Sequence, residues 1–532
     1  MTKSRSASGI SPSGEMNKPT TAVGLLASLD AGGSSPAPTS RPVLKNLPFF
    51  LFAIALFIIV QLNILLQQSM GGDGVLYASV AWNMAHDIGS LWAPVYLPGG
   101  VLSTFYEHPP LGMFVNSWFF RVFGDHFIVD RLYCLFTLIL SFWAMLLIWY
   151  KTQAKAAPVL LWLPILCWVM EPLTTRTYPA NAIEDLLTVF TTFGSLFVLQ
   201  ALATGHRGKS LVWFFLAAVC VTGAFFSNGL QAFFPLIIPF CYWLVFRNTS
   251  WQLMCGQVLV LIIFTALLIG AIFLYHPAWD FTHHYWNNQV WATLNGTRGG
   301  NGDFKGIGHL FGLLLIIGNA LPLIFFTGII LFIKAKFSRQ SFLSLVKNAA
   351  QEKKVIFFGL IVLVASLPIL ASSRQMAHYF LQAFPFVILL FLEILTPIFS
   401  QWTVQIKIAS RTYKQSLLAA ILFFCIAIAV TTHYYGKPWP VLVEVTEVSK
   451  VVPDNSTVSI APSLANNWNL YAYFYRYHRI VLTPQAGQLF YLQKKIDTSS
   501  PADYRLIPLS SEEYTLWKKD SSLYHNISSF SK

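Results

Sequence analysis

About eleven apolar runs divide this chain, and a helix needs ~20 such residues to cross a hydrocarbon core ~30 Å thick. They fall at about 47–66, 129–150, 158–172, 185–203, 211–228, 231–246, 253–275, 309–333, 355–371, 379–398 and 416–434, with the short pair around Ser227-Asn228-Gly229 the least regular. Composition agrees: 55% hydrophobic against 11% charged residues is too apolar for a soluble protein of 532 residues. The pattern predicts an all-α polytopic membrane domain. All six cysteines lie inside apolar runs without metal-type spacing, so they read as small core residues.

A net charge of +13 would suit a nucleic-acid partner only if the charges were gathered for one. Instead they alternate with the runs. With the N-terminal tail inside, the cytoplasmic loops carry Lys151 and Lys155, Arg207 and Lys209, Arg247, then Lys334, Lys336, Arg339, Lys347, Lys353 and Lys354, and finally Lys407, Arg411 and Lys414. The opposite loops hold chiefly Arg121, Arg176, Arg298, Lys305 and Arg374. This bias sets the orientation and removes nucleic acid from the partners. Residues 1–45, rich in Ser, Gly, Pro and Thr, read as a disordered cytoplasmic tail, and the first apolar run lies too far along to be a cleavable signal. Residues 46–435 form the membrane domain, with a first outer loop at 69–128. Residues 436–532 turn mixed and strand-like (Val458-Ser-Ile-Ala and Arg479-Ile-Val-Leu-Thr flanking a helical Asn467–Arg476), which predicts a small extracytoplasmic α/β domain. Its aromatic run, Tyr471, Tyr473, Phe474, Tyr475 and Tyr477, reads as packing.

The first outer loop carries the chemistry. It opens Gly-Gly-Asp73-Gly-Val-Leu-Tyr77-Ala and closes Phe105-Tyr-Glu107-His108-Pro109-Pro110-Leu111. An acid this close to a membrane-spanning end is solvated or has a task; both readings of Asp73 stand. Val80, Met84 and Ile88 recur at helical spacing, as in a helix lying in the interface, with His86 and Asp87 turned away. Asp185, the 275–308 loop with His283 and His284, and the Arg374 segment fall on the same outer face. One outward polar cavity would gather them, while merely wet loops are the competing account.

In order and sidedness these motifs resemble the membrane glycosyltransferases of the GT-C class. The likeness is to bacterial relatives of the dolichyl-phosphate-mannose protein mannosyltransferases and of the lipid A aminoarabinose transferase. The family's loop has an acidic pair before a Tyr-Ala step, a Lys-Pro-Pro-Leu-like segment, then Phe-Gly and Arg-Leu. Here Asp73 keeps the first acid, Gly74 replaces the second, His108 replaces the lysine, and Phe123-Gly124 and Arg131-Leu132 follow. Pro179-Ala-Asn-Ala-Ile-Glu184-Asp185-Leu-Leu and Arg374-Gln-Met-Ala-His378-Tyr379 resemble two further family stretches, and Phe281-Thr-His283-His284 with Arg298-Gly-Gly a third more loosely.

The resemblance implies inverting transfer of a sugar from a polyprenyl-phosphate donor to a lipid, glycan or protein hydroxyl, in a bacterial inner membrane with the C-terminal domain periplasmic. Asp73 would be the base. Tyr77, Glu107 and Asp185 would bind acceptor, with Asp185 orienting it or holding His108. His108, Arg298, Arg374 and Tyr379 would bind the donor phosphate, and His283, His284 and His378 are further candidates. Glu107 would either pair with an arginine or coordinate a divalent cation, which some members of the class use. His283 and His284, beside Trp279, Trp286 and Trp291, also read as interfacial anchors. Gly299-Gly-Asn-Gly302 lacks the strand and Lys-Ser/Thr of a phosphate loop and reads as a loop closing over substrate. A transporter or flippase, or a non-catalytic assembly protein, are the other classes considered. The first predicts charges in mid-helix and matching broken halves; the charges here lie at helix ends and no repeat is visible.

Overall fold

The computed structural model describes residues 41–98, 103–153, 159–295, 308–372 and 375–520. Arg298, Arg374, the 299–302 segment and nearly all of the expected tail lie outside these residues. Helix α1 (Arg41–Phe57) continues through a π-helical turn at Ile58–Leu62 to complete a span of Leu44–Leu65. The first outer loop then holds α2 (Gly72–Ala85), a small antiparallel pair β1 (Gly89–Ser90) and β2 (Ala93–Pro94), and α3 (Leu111–Phe123). Next come α4 (Phe127–Thr152), the short α5 (Trp162–Met170) and α6 (Pro172–Thr177), α7 (Ile183–Ala203), α8 (Arg207–Asn228), α9 (Ile238–Phe246) and α10 (Trp251–Phe273). The membrane portion ends with α11 (His276–Tyr285), α12 (Gly308–Ser338), α13 (Phe342–Gln351), α14 (Lys353–Ala371), α15 (Phe384–Gln405) and α16 (Arg411–His433).

Nine spans among the described residues are long and apolar enough to cross a membrane, against about eleven expected, and both differences have local causes. The run at 158–172 stops at Met170 because Glu171 caps the next helix, its carboxylate accepting from Leu173 N at 2.9 Å and Thr174 N at 2.6 Å, while Pro172 can donate no backbone hydrogen bond there. At ~1.5 Å per residue α5 covers only about half the thickness, and α6 with the turn Tyr178–Ala180 carries the chain on to the level of Gln67, where Arg131 holds both. The other difference is Arg207–Phe246, which counts as one span of 40 residues. A straight helix of that length would be about twice the hydrocarbon thickness. It breaks at Gly229, whose φ of 73° suits glycine, and returns through a 3-10 stretch (Gly229–Ile237) packed against α8. The bundle thus keeps the alternation that the charge pattern requires.

Exposed apolar side chains such as Leu259, Leu267, Phe325, Ile329 and Leu422 cover the outside of the bundle and suit contact with lipid rather than water. Polar contacts sort to its two ends. Lys45 reaches Val404 O at 2.9 Å and Lys354 reaches Thr152 O at 2.7 Å at the basic-loop end. Glu107 with Gln289, Glu184 with Asn228, and Gln68 with Lys437 meet at the other.

Beyond α16 the chain builds α17 (Pro440–Ser449), β3 (Thr457–Ile460), α18 (Trp468–His478), β4 (Val481–Thr483), β5 (Phe490–Lys494), β6 (Tyr504–Ile507) and β7 (Tyr514–Lys519). The strand order is β4-β3-β5-β7-β6, with β3 parallel to both neighbours and the remaining pairs antiparallel. Helix α18, capped by Asn467 Oδ1 on Leu470 N at 3.3 Å, connects β3 to β4 as the strand-helix-strand pattern predicts.

This unit rests on the first outer loop through the aromatic face of α18. Tyr475 Oη donates to Asn83 Oδ1 at 2.7 Å, Tyr473 Oη donates to the Met70 carbonyl, and the Arg479 guanidinium lies 3.3 Å over the Trp82 ring. Helix α2 is thus covered by α18 and α3 instead of lying open at the interface: Val80 and Met84 are buried, as are Ala78, Ser79 and Ala81. The buried Arg476 bridges Asp125 at 2.8 Å and Asp130 at 3.3 Å. Burial opposes its charge, but Asp130 and Asp125 more than offset that and hold it above the usual arginine range. With Asp130 only 1% exposed, Arg476→Met leaves a buried carboxylate with no ion-pair partner and only the weaker influence of Arg131. The expected cost is ~3–5 kcal/mol, read as a lower Tm, and partial recovery is expected on adding Asp130→Asn.

Candidate active site

The site is built where α2 begins. Arg131, in the first turns of α4, donates Nε to Gln67 O at 3.3 Å and Nη1 to the Pro179 carbonyl, tying the end of the first span to the turn before α7. That turn contains Asn181, left-handed at φ 55°, and its Nδ2 donates to Gly74 O at 2.8 Å. The approach is close enough that a Cβ at position 74 would stand 1.8 Å from Ala180 O. No second acid fits at position 74. On the other side a Cβ at Gly72 would stand 1.6 Å from Asn469 Oδ1 of α18. Asp73 is therefore held between two glycines that are gripped from opposite sides, exposed, in the first turn of α2, where the helix dipole favours a carboxylate.

Tyr77 lies one turn on. It is enclosed by protein on most sides yet keeps some open surface, as on the floor of a recess. Burial pushes its hydroxyl well above the usual tyrosine range, and Asp73, Glu184, Tyr379 and Glu107 add to the shift in that order. Four separate elements therefore bear on one hydroxyl, which stays protonated at neutral pH. The His108 ring meets the Tyr77 ring edge-on at 5.7 Å. Glu107 accepts from Gln289 Nε2 at 2.8 Å, which brings the π-helical turn Trp286–Trp291 against the loop. Tyr379 lies against His378 at 4.6 Å in the 3-10 turn Ala377–Ala383.

Placement differs from expectation at α7. Glu184, 3% exposed, faces Asp73 and Tyr77 and accepts from Asn228 Nδ2 at 3.3 Å. Asp185 sits one helical step (~100°) round, toward Tyr133, Cys134 and Tyr178 and not toward Tyr77. Adjacent carboxylates at a helix start signal that one of them faces inward, but sequence does not say which. His284 lies 5.0 Å from the Tyr106 ring, on the edge of the assembly, whereas exposed His283 faces Asn287 and Trp279. Among the described residues, no group of three His, Cys, Asp or Glu side chains is arranged to hold a metal ion. Glu107 and Glu184 each accept a hydrogen bond from a side-chain amide.

The grip on α2 gives a direct check. Gly74→Ala is expected to force the first turn off the Ala180 carbonyl and to lower stability by ~1–3 kcal/mol or more. Gly71→Ala, with nothing within 4 Å of its added carbon, should melt as the unaltered chain does. Thermal unfolding of the two purified variants in detergent measures the difference.

No protein-family model and no curated protein sequence matches this chain. Solved structures do. ArnT from Cupriavidus metallidurans in the apo state aligns with a TM-score of 0.58 at 14% identity, covering 88% of this chain and 96% of that one. The same protein bound to undecaprenyl phosphate aligns at 0.59 and 15% identity, covering 92% and 99%. The archaeal oligosaccharyltransferase AglB from Archaeoglobus fulgidus, in complex with an inhibitory peptide and a dolichol-phosphate, aligns at 0.47 and 14% identity, covering 84% and 69%. Over nearly its whole length the chain has the fold of ArnT, a GT-C polytopic membrane domain followed by a small C-terminal α/β unit.

Proposed function

We propose that this protein is an integral membrane glycosyltransferase that moves a sugar from a polyprenyl-phosphate donor to a hydroxyl acceptor, with inversion and with Asp73 as the base. The observation that carries the reading is the placement of Asp73, exposed in the first turn of α2, beside the half-buried Tyr77, Glu107, His108 and Tyr379. The ArnT fold supports it, and the ArnT structure bound to undecaprenyl phosphate supports a lipid phosphate as the donor class.

In the proposed step the acceptor oxygen forms a bond to the anomeric carbon as the bond from that carbon to the phosphate oxygen breaks. The acceptor proton passes to the Asp73 carboxylate and the electron pair leaves on polyprenyl phosphate. That leaving group needs no protonation, only donors on its oxygens as charge accumulates. His108 and Tyr379 serve there, and Arg298 and Arg374 are the cationic candidates that the sequence adds. Tyr77 and Glu184 line the acceptor side, and Glu107 sets the loop's position through Gln289. The charge bias supports basic loops in the cytoplasm with the site and C-terminal unit on the opposite side, and the likeness to ArnT supports a bacterial inner membrane, that side being the periplasm.

Purified protein given a defined polyprenyl-phosphate sugar should release polyprenyl phosphate in step with acceptor glycosylation. Asp73→Asn should cut the rate by ~10²–10⁴-fold while leaving the Tm unchanged. A mutant that transfers at the normal rate would overturn the assignment of the base.

A further inference from the structure

Behind the site, on the Asp185 side of α7, lies a second polar assembly that sugar transfer does not use. Asp185 is 0% exposed, and neither carboxylate oxygen has a hydrogen-bond partner among the described residues; the Ala182 backbone comes near without a well-formed bond. Tyr178, also 0% exposed, brings its hydroxyl close to Asp185, Ser141 and Thr188 but into bonding geometry with none of them. Ser141 Oγ on α4 is likewise unpaired and fully buried, as is Thr192 Oγ1 one turn beyond Thr188. The Trp168 indole N–H, unpaired and buried, belongs to a ring 5.7 Å from that of Tyr178.

Two polar stripes face each other here, Cys134, Thr137 and Ser141 along α4 and Asp185, Thr188 and Thr192 along α7, at the spacing that puts each set on one helix face. An isolated carboxylate buried in a bundle is expensive, and buried polar atoms are almost always satisfied. Arg131 spends Nε on Gln67 O and Nη1 on Pro179 O, its buried Nη2 has no partner among the described residues, and its charge bears on Cys134 and Asp130, not on Asp185. Of the other ionisable groups, Glu184 adds a like charge, Glu171 bears on Tyr178, and Tyr133, Tyr178 and Cys134 carry no positive charge in either form.

We propose that Asp185, Tyr178, Ser141 and Thr188 form a binding site for a sodium-sized monovalent cation inside the bundle. The donors are all oxygen, which suits a hard cation. Thr188 Oγ1 donates to Glu184 O at 2.7 Å and so keeps its lone pairs for the ion. One carboxylate balances one positive charge; a divalent ion would leave a net charge in a medium of low dielectric. The bound cation would brace the start of α7, the helix that also carries Glu184, and this holds whatever reaction the neighbouring site performs.

The test is thermal unfolding of the purified full chain in NaCl and in choline chloride at equal ionic strength. A rise in Tm that saturates with sodium and is absent in choline is expected, as for a ligand that binds only the native state. Asp185→Asn should melt identically in the two salts, and Ser141→Ala should need several-fold more sodium for half the rise. Equal Tm values of the unaltered protein in sodium and choline would overturn the proposal, since a protonated Asp185 behaves that way. A sodium response retained in Asp185→Asn would overturn it as well. Should Asp185→Asn not fold, the unaltered chain and Ser141→Ala still decide.

Discussion

The close contact between the first turn of α2 and the Ala180 carbonyl is the constraint from which the rest follows. Position 74 has room for no side chain, and Asn181 makes use of that by donating to the Gly74 carbonyl. Arg131 holds both parties, with one arm on the end of the first span and the other on the turn. A helix start fixed in this way presents its second residue, Asp73, in one direction only. Preorganisation of this kind suits the role proposed for Asp73, because a group free to wander loses effective concentration toward its substrate.

The C-terminal unit completes the grip. Asn469 closes on Gly72, Tyr473 takes the Met70 carbonyl, and Tyr475 meets Asn83, whose own amide donates to Val95 O at 2.8 Å and Tyr96 O at 2.9 Å. The outer loop is therefore held from both sides, by the membrane bundle through α7 and by the soluble unit through α18. Arg476 and Arg479, sharing Asp125 at 2.8 and 2.7 Å, make the contact electrostatic as well as aromatic. Asp125 is 40% exposed, so these pairs are only partly buried and add little net stability, but they penalise misdocked arrangements in which the buried Arg476 would be left alone.

Within the bundle, most buried hydroxyls return to the backbone of their own helix, as Thr191 does to Leu187 O at 2.9 Å and Ser195 to Thr191 O at 2.7 Å. That habit removes the cost of a polar group in an apolar medium; Asp185, Tyr178 and Ser141, like Thr192, Thr222 and Thr327, have no such outlet, and Asp185 is the one among these that is a carboxyl group. The two faces of α7 consequently differ in kind. One carries Glu184 to the recess around Tyr77; the other carries Asp185 into the interior.

By itself the sequence determined that the chain crosses a membrane many times, because apolar length is read directly against bilayer thickness. It also determined how basic loops alternate with less basic ones, the strand-helix-strand core of the C-terminal unit and the ordered motifs of the loop after the first span, since local period and residue type carry that information. Tertiary structure alone decided which of Glu184 and Asp185 turns toward Asp73, for adjacent helical residues differ only by a rotation that neighbouring helices choose. It decided that 158–172 halts partway, where Glu171 spends its carboxylate on the following helix, and that α2 lies beneath α18 and not on the membrane surface. It also explained Gly74. From sequence this looked like a lost acid; in the folded chain it is the place where two backbones come too near for any side chain to stand between them.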